Sequence, residues 1–502
     1  MYRKSDRQIN LDDFNQPFGL AINPNNRWVK KAELIPWNDV EREYIRHFPS
    51  KEGQVAKSAR LALGALIIQK EYGFSDEETA SMIQENPYFQ YFCGMKKYTH
   101  DIPFDPSLMV HFRKRFTPEA VTAINEKIIE RTSGVKSVFH PEDTPKEPDK
   151  DNDGVNPAHS GADTGTAVQR PEKSPGLKGT LIVDATCAPS NIKYPTDTDL
   201  LNKAREDTER MISAMHDPST GHRPRTYSRT SRKEFVNFSK KRIKKGKEIR
   251  RMIFKQLICL KRNLGFIDTM LDSGGKLSEK LLQRLEVVRK LYEQQKQMYD
   301  TKIHTVPDRI VSLSQPWLRA IVRGKAKAAV EFGAKIEVSV VDGFTRLEKS
   351  SFSAYNESGG LIEEIERYRN RTGYYPERVL ADKIYRNRDN LKYCNARGIR
   401  LSGPSLGRRP KDYVPDKKRD YEDMCDRNEV ERVFSLAKRR YGLGMIQARL
   451  QETALSSIAL SIMLLNLNKV LFCVFIFALL WVTNNRGKFT KFPRNNLDRA
   501  IQ

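Results

Sequence analysis

Apolar positions between residues 55 and 115 recur with helical spacing. Ala59, Ala62, Leu63, Leu66 and Ile67 fall at i, i+3, i+4, i+7 and i+8, one face of a helix. Gly73 is placed to end that helix, and Ser75-Asp-Glu-Glu78 has the capping-box form that starts another. Asp105-Pro106 predicts an N-cap and first-turn proline for a third helix, which carries His111, Arg113, Lys114 and Arg115. Short helices closing on a basic one suit DNA contact. An ordinary helical unit with a solvated basic face has the same pattern.

The pattern then breaks. Residues 141–178 hold six prolines and four glycines in 38 positions, with no aromatic residue, and predict a disordered linker over about 137–178. Past it, Gly179-Thr-Leu-Ile-Val-Asp184 reads as a short strand ending in a carboxylate. From about 205 to 305 the spacing is helical again, with long helices that suggest a hairpin. Strand signals return at Arg309–Ser312, at Lys335–Val341, at Val379-Leu-Ala381 and at Gly398–Ser402, with helices predicted at 360–371 and 427–441. This order implies an α/β domain over 179–468 built on a mixed sheet with a long helical insertion, preceded by an all-α domain over 1–136. An apolar helix and basic tail over 469–502 complete the chain.

Charge narrows the class of partner. Of 502 residues, 88 are Lys or Arg and 63 Asp or Glu, a net charge of +25. Such an excess favours a polyanion or an anionic surface. It is concentrated between Arg232 and Arg262, where 13 Lys and Arg face two Glu, with Lys240, Lys241, Arg242, Lys244 and Lys245 at its centre. Apolar residues make up 38% and charged residues 30%, which excludes a polytopic membrane protein and a wholly disordered chain. The six cysteines are scattered without a C-x-x-C pair, which argues against structural zinc. With no secretory signal at the start, they fit a reducing cytoplasm. Val470–Val482 is a run of thirteen apolar residues, short of the ~20 that span a bilayer. A buried terminal helix or a subunit interface is expected there rather than a membrane anchor.

Three carboxylates stand out. Asp184 and Asp382 each follow an apolar strand and open a loop, an arrangement that lets two acids converge on a divalent cation. On a wheel of about 100° per residue with Glu431 at zero, Arg427 falls at about −40° and Lys438 at about −20°. Val430, Phe434 and Ala437 form the adjoining apolar stripe, which would seat this helix on the sheet. A surface salt-bridge ladder would share the Arg-Glu-Lys spacing. Asp342, beside Gly343, is a further acid for which a turn role is expected.

Taken together, Asp184, Asp382 in Val-Leu-Ala-Asp-Lys-Ile-Tyr, and R-x3-E-x6-K over 427–438 resemble the DDE-type bacterial insertion-sequence transposases, closest to the insertion-sequence-five-like group. Val183–Ser190, Tyr194–Leu201 and Lys438–Leu443 extend the likeness. Such transposases often have a Tyr three residues before the Arg; Met424 stands there, and the nearest tyrosine is Tyr421. The resemblance implies an RNase H-like fold and two Mg²⁺, with Mn²⁺ as a substitute, held by Asp184, Asp382 and Glu431. It implies that Arg427 and Lys438 contact DNA phosphate; charge alone makes Lys240, Lys241, Arg242, Lys244 and Lys245, and the basic helix makes Arg113, Lys114 and Arg115, further expected DNA contacts. It also implies double-stranded DNA, as inverted-repeat ends and target, as the partner of a homodimer, with no small-molecule substrate. The expected setting is the bacterial cytoplasm, at the nucleoid. A catalytically inactive or domesticated DNA-binding relative is the alternative.

Overall fold

The computed structural model describes residues 21–49, 52, 54–139, 176–325, 328–404, 406–407 and 416–484, without the side chains of 133–139, 220, 323–325, 328–329 and 474–484. The expected linker therefore falls almost wholly outside the described residues.

Seven helices open the chain: α1 (Arg27–Leu34), α2 (Trp37–Ile45), α3 (Ala59–Tyr72), α4 (Asp76–Glu85), α5 (Pro87–Phe92), α6 (Leu108–Arg115) and α7 (Pro118–Phe139). Local signals act as expected around α3 and α4. Ser58 caps α3 through the Leu61 N–H, Gly73 ends it at φ 73°, and Ser75 and Glu78 form a reciprocal capping box. The start of α6 differs. Asp105 accepts the Ser107 N–H at 2.9 Å, so Asp105 and Pro106 make a turn ahead of the helix and Ser107 becomes its N-cap.

The sheet is mixed and has six strands: β1 (Thr180–Pro189), β2 (Arg319–Lys325), β3 (Ala328–Val341), β4 (Phe344–Ser351), β5 (Arg378–Leu380) and β6 (Arg400–Leu401). They lie in the order β2-β3-β1-β5-β6, with β4 also on β3. β1 runs antiparallel to β3 and parallel to β5, and β5 parallel to β6. β3 and β4 join through Asp342 (φ 52°) and Gly343 (φ 77°), both left-handed as a two-residue hairpin turn demands, so Asp342 takes the expected turn position.

Two sequence expectations change here, and two strands are added. Asp184 does not end its strand: β1 continues through Ala185-Thr-Cys-Ala to Pro189, which pairs with Gly333. Close approach there depends on glycine, since a Cβ on Gly333 would sit 2.1 Å from the Ala188 carbonyl oxygen. Arg309–Ser312 is not a strand. Its Ile310 and Val311 are buried as plugs instead, one in the core of the insertion and one in the main core. β2 and β4 had no clear signal, because β4 (FTRLEKSS) mixes polar and apolar residues at a sheet margin.

Between β1 and β2 the insertion forms α8 (Asp197–Met215), α9 (Ser228–Lys240), α10 (Gly246–Asp272) and α11 (Glu279–Thr301), with a core of its own supplied by α8, α10 and α11. One sheet face is covered by α12 (Leu361–Thr372) and α13 (Arg388–Ala396). The other receives α14 (Lys417–Arg440), and beyond it α15 (Gln451–Asn484). α15 is the one helix among the described residues long and apolar enough to cross a membrane, yet 67% of its most apolar window is buried inside the protein. The N-terminal helices, α14 and the sheet share one continuous core with it. At its centre Asn466 is fully buried; its Nδ2 donates to Asn125 Oδ1 at 2.8 Å and to the Thr345 carbonyl at 2.7 Å, and its Oδ1 accepts the Thr345 N–H. One amide thereby ties α7, β4 and α15 together.

Candidate active site

Register brings the two aspartates level. Ile182 pairs with Leu380 across the parallel β1–β5 ladder, and Asp184 and Asp382 each lie two residues further on. β5 ends at Leu380, so Asp382 sits in the turn that follows and caps a short 3-10 helix through the Lys383 N–H at 2.7 Å. Side chains two apart on a strand share a face. Asp184 therefore lies on the face of Ile182 and Thr186, which is the face α14 covers. Burial is the largest influence on the Asp184 carboxyl and raises its pKa; the Asp382 and Glu357 charges raise it further, against the Ala185 N–H and Arg427. Two carboxylates lying level with each other offer oxygen donors of the kind a divalent cation takes.

α14 is fastened above this pair. Asp423 is buried and accepts from Arg378 at 3.1 Å and from Arg400, residues that belong to β5 and β6. Burial opposes its ionisation, but the two guanidiniums outweigh that and lower its pKa. One turn further, Arg427 Nη2 lies 3.9 Å from Asp184 Oδ2, and three turns beyond that Lys438 Nζ donates to Thr186 Oγ1 at 2.9 Å. Val430, Val433 and Ala437 pack into the core beneath. The wheel thus describes α14 well: its Arg427–Lys438 edge faces β1.

Glu431 lies on that edge, one turn from Arg427, and its side chain is exposed. Among the described residues no three carboxylate, His or Cys groups are assembled to hold a metal ion. The structure brings Asp184, Asp382 and Arg427 together and leaves Glu431 outside them. It also adds an acid that the sequence did not single out: Glu357, ion-paired to Lys335 at 2.7 Å and close enough to act on Asp184. No motif marks Glu357; only the β4–α12 connection carries it there.

The other expected DNA contacts divide. Lys240, Lys241, Arg242, Lys244 and Lys245 are exposed and form the turn between α9 and α10, with Lys241 paired to Glu248 at 2.7 Å. Lys114 is exposed as well. Arg113 is engaged by Asp76 at 2.6 Å, and Arg115 donates to the Tyr44 hydroxyl and lies over Phe48. These two arginines therefore hold the helical unit together. Met424 and Tyr421 are both exposed. The segment 403–411, which by sequence could hold backbone phosphate or be only a connection, lies mostly outside the described residues.

Comparison with known proteins relates two stretches of the chain to transposases. A family model described as "Transposase DDE domain" matches residues 379–468, which include Asp382, Arg427, Glu431 and Lys438. A second, described as "Transposase domain (DUF772)", matches residues 18–115. The "Uncharacterized protein ORF8 in nfe locus" of Rhizobium meliloti is 30% identical over 193 residues, 38% of this chain and 76% of that protein. No solved structure matches. The chain belongs to the transposases that carry a DDE domain.

Proposed function

We propose that this protein is a DNA transposase that binds the inverted-repeat ends of an insertion sequence, cuts the DNA at those ends and joins them to target DNA. The observation that carries the reading is the level placement of Asp184 and Asp382 with Arg427 against Asp184. The strand order, with a long antiparallel pair feeding two parallel strands, supports an RNase H-like fold for the sheet.

Asp184, Asp382 and Glu431 would hold Mg²⁺ or Mn²⁺ as hard oxygen donors. When bound, the metal supplies a polarised attacking hydroxyl and neutralises charge at the leaving oxygen. The chain's own groups do the rest. Arg427, already beside Asp184, and Lys438 present fixed positive charge where a scissile phosphate would lie, so charge that develops in the transition state meets a cation that needs no reorganisation. The α9–α10 turn and Lys114 supply cations for backbone contact remote from the cut, while Arg113 and Arg115 act through the fold of the helical unit. Reaction at two ends calls for two copies of the chain on paired ends.

The exposure of Glu431, outside the aspartate pair, favours a second reading: an inactive relative that binds DNA without cutting it. One experiment separates the two. Wild-type protein is incubated with end-bearing duplex in Mg²⁺, in EDTA and in Ca²⁺. The transposase reading expects strand breaks at the element ends in Mg²⁺ only; salt-sensitive binding with no breakage in any of the three leaves the second reading standing and removes the first.

A further inference from the structure

α14 has a second charged edge. Arg432, Leu436 and Arg440 recur every four residues on the side turned away from β1, a row with a spacing of ~6 Å. That row lines a cleft of about 950 Å³, closed by α1 on one side and α15 on another. α1 contributes Arg27 and Lys30, and α15 contributes Lys469. Two acids also line it, and both are engaged: Glu71 by the buried Lys31, and Glu429 by Lys469 at 3.4 Å. Among the described residues, no carboxylate lies within ion-pair distance of Lys30, Arg432 or Arg440. Arg27 donates to the Tyr72 hydroxyl and lies over its ring, so it is held in place without losing its charge. The floor is apolar, with Leu436 and Phe472 part of the exposed rim.

We infer that this cleft is a second backbone-binding site for the DNA whose scissile segment lies on the Arg427–Lys438 edge, so that α14 is contacted by DNA on both sides. The inference rests on the proposed function and deepens it. Unpaired guanidiniums two turns apart, ~12 Å along α14, each offer a planar fork to one phosphate of an extended chain, with Leu436 between them. A small apolar ligand would leave the cations unpaired. The cleft also joins the N-terminal helices to α14, so DNA held there would couple end binding to the cutting edge.

The test uses the full chain and a fluorescein-labelled end-bearing duplex, with a random-sequence duplex as comparison. Affinity is measured in Ca²⁺ between ~50 and ~200 mM salt. For Arg432→Gln/Arg440→Gln the expected result is weaker binding, by ~10-fold or more at the low salt, and a log–log salt slope shallower by ~1.8, since each lost phosphate contact removes ~0.9. Arg432→Lys/Arg440→Lys should keep most of the slope. Wild-type affinity and slope in the glutamine variant would overturn the cleft as a DNA site. Failure of the wild type to bind either duplex would instead overturn the function it rests on. Should the glutamine variant not fold, phenylglyoxal labelling of wild type decides: duplex must shield Arg432 and Arg440, and unchanged labelling with DNA bound would overturn the site.

Discussion

Asp184 on β1 and Asp382, in the turn just past β5, each lie two residues beyond the Ile182–Leu380 pair, and after burial the Asp382 charge adds to the upward shift of the Asp184 pKa. Any change that shifts the β1–β5 register by one residue would turn Asp184 to the opposite face, away from α14. Outside the ladder itself the register is tied by Arg378 Nε, which donates to Thr180 Oγ1 at 2.8 Å, and by α14, which reaches β5 and β6 through Asp423 and β1 through Arg427 and Lys438.

Asp423→Ala should therefore cost both stability and cutting. It leaves Arg378 and Arg400 without their shared partner, a loss of ~1–3 kcal/mol. It also loosens α14 one turn before Arg427. Urea denaturation and single-turnover cleavage on end DNA are the measurements. A variant with lowered midpoint but unchanged cleavage rate would mean that α14 is positioned without Asp423.

Asn466 is the clearest test of how the N-terminal helices join the sheet. Asn466→Ala strands Asn125 and one backbone group of β4 in a dry core, and ~2–4 kcal/mol of stability should be lost. Denaturation followed at two probes, one in each half, should stay a single transition that moves to lower denaturant. No shift would show that the junction does not depend on this amide.

The contribution of Glu364 to stability should fall as pH rises from acid toward alkaline values. Glu364, in the first turn of α12, is buried, and burial first, then the Glu337 and Glu348 charges, push its carboxyl from an ordinary 4.5 up to about 9. Below 4.5 the group is protonated in both folded and unfolded chains, so its contribution is fully present there. Above that the unfolded chain ionises while the folded one keeps its proton, so stability drops, by at most ~1.4 kcal/mol per pH unit for one proton, until pH passes about 9. Thermal melts of Glu364→Gln across that range should be flatter than wild type. An identical pH slope in the two would refute the assignment.

Full-length protein should remain in the supernatant of a detergent-free extract after ultracentrifugation, because 67% of the most apolar stretch of α15 is packed inside the protein. Recovery only with detergent would show that α15 leaves this core for a bilayer.

How much of this was legible in the sequence varies with how local each feature is. The Arg427–Lys438 edge could be drawn on a wheel because one helix contains it and its apolar stripe is adjacent. Capping at Ser75 and the Asp342-Gly343 turn are equally local. Asp184 was found as a candidate but misplaced to a strand end, because β1 carries on through small residues whose pairing depends on Gly333, far away in the chain. Glu357 had no signal at all: its proximity to Asp184 depends on the path of the chain between β4 and α12. The sequence favours a buried helix or a subunit interface for the C-terminal apolar stretch but does not choose between them, since composition records that a helix is apolar but not what surrounds it. Here its neighbours are the N-terminal helices, more than 300 residues away in sequence.

The central claim is that Asp184, Asp382 and Glu431 form one cutting centre. It is tested most directly by strand cleavage of end-bearing DNA in Mg²⁺ by Asp184→Asn, Asp382→Asn and Glu431→Gln, with DNA affinity checked for each in Ca²⁺. The account predicts cleavage reduced by ~10²-fold or more in all three, with affinity close to wild type. Wild-type cleavage by any one of them would contradict it.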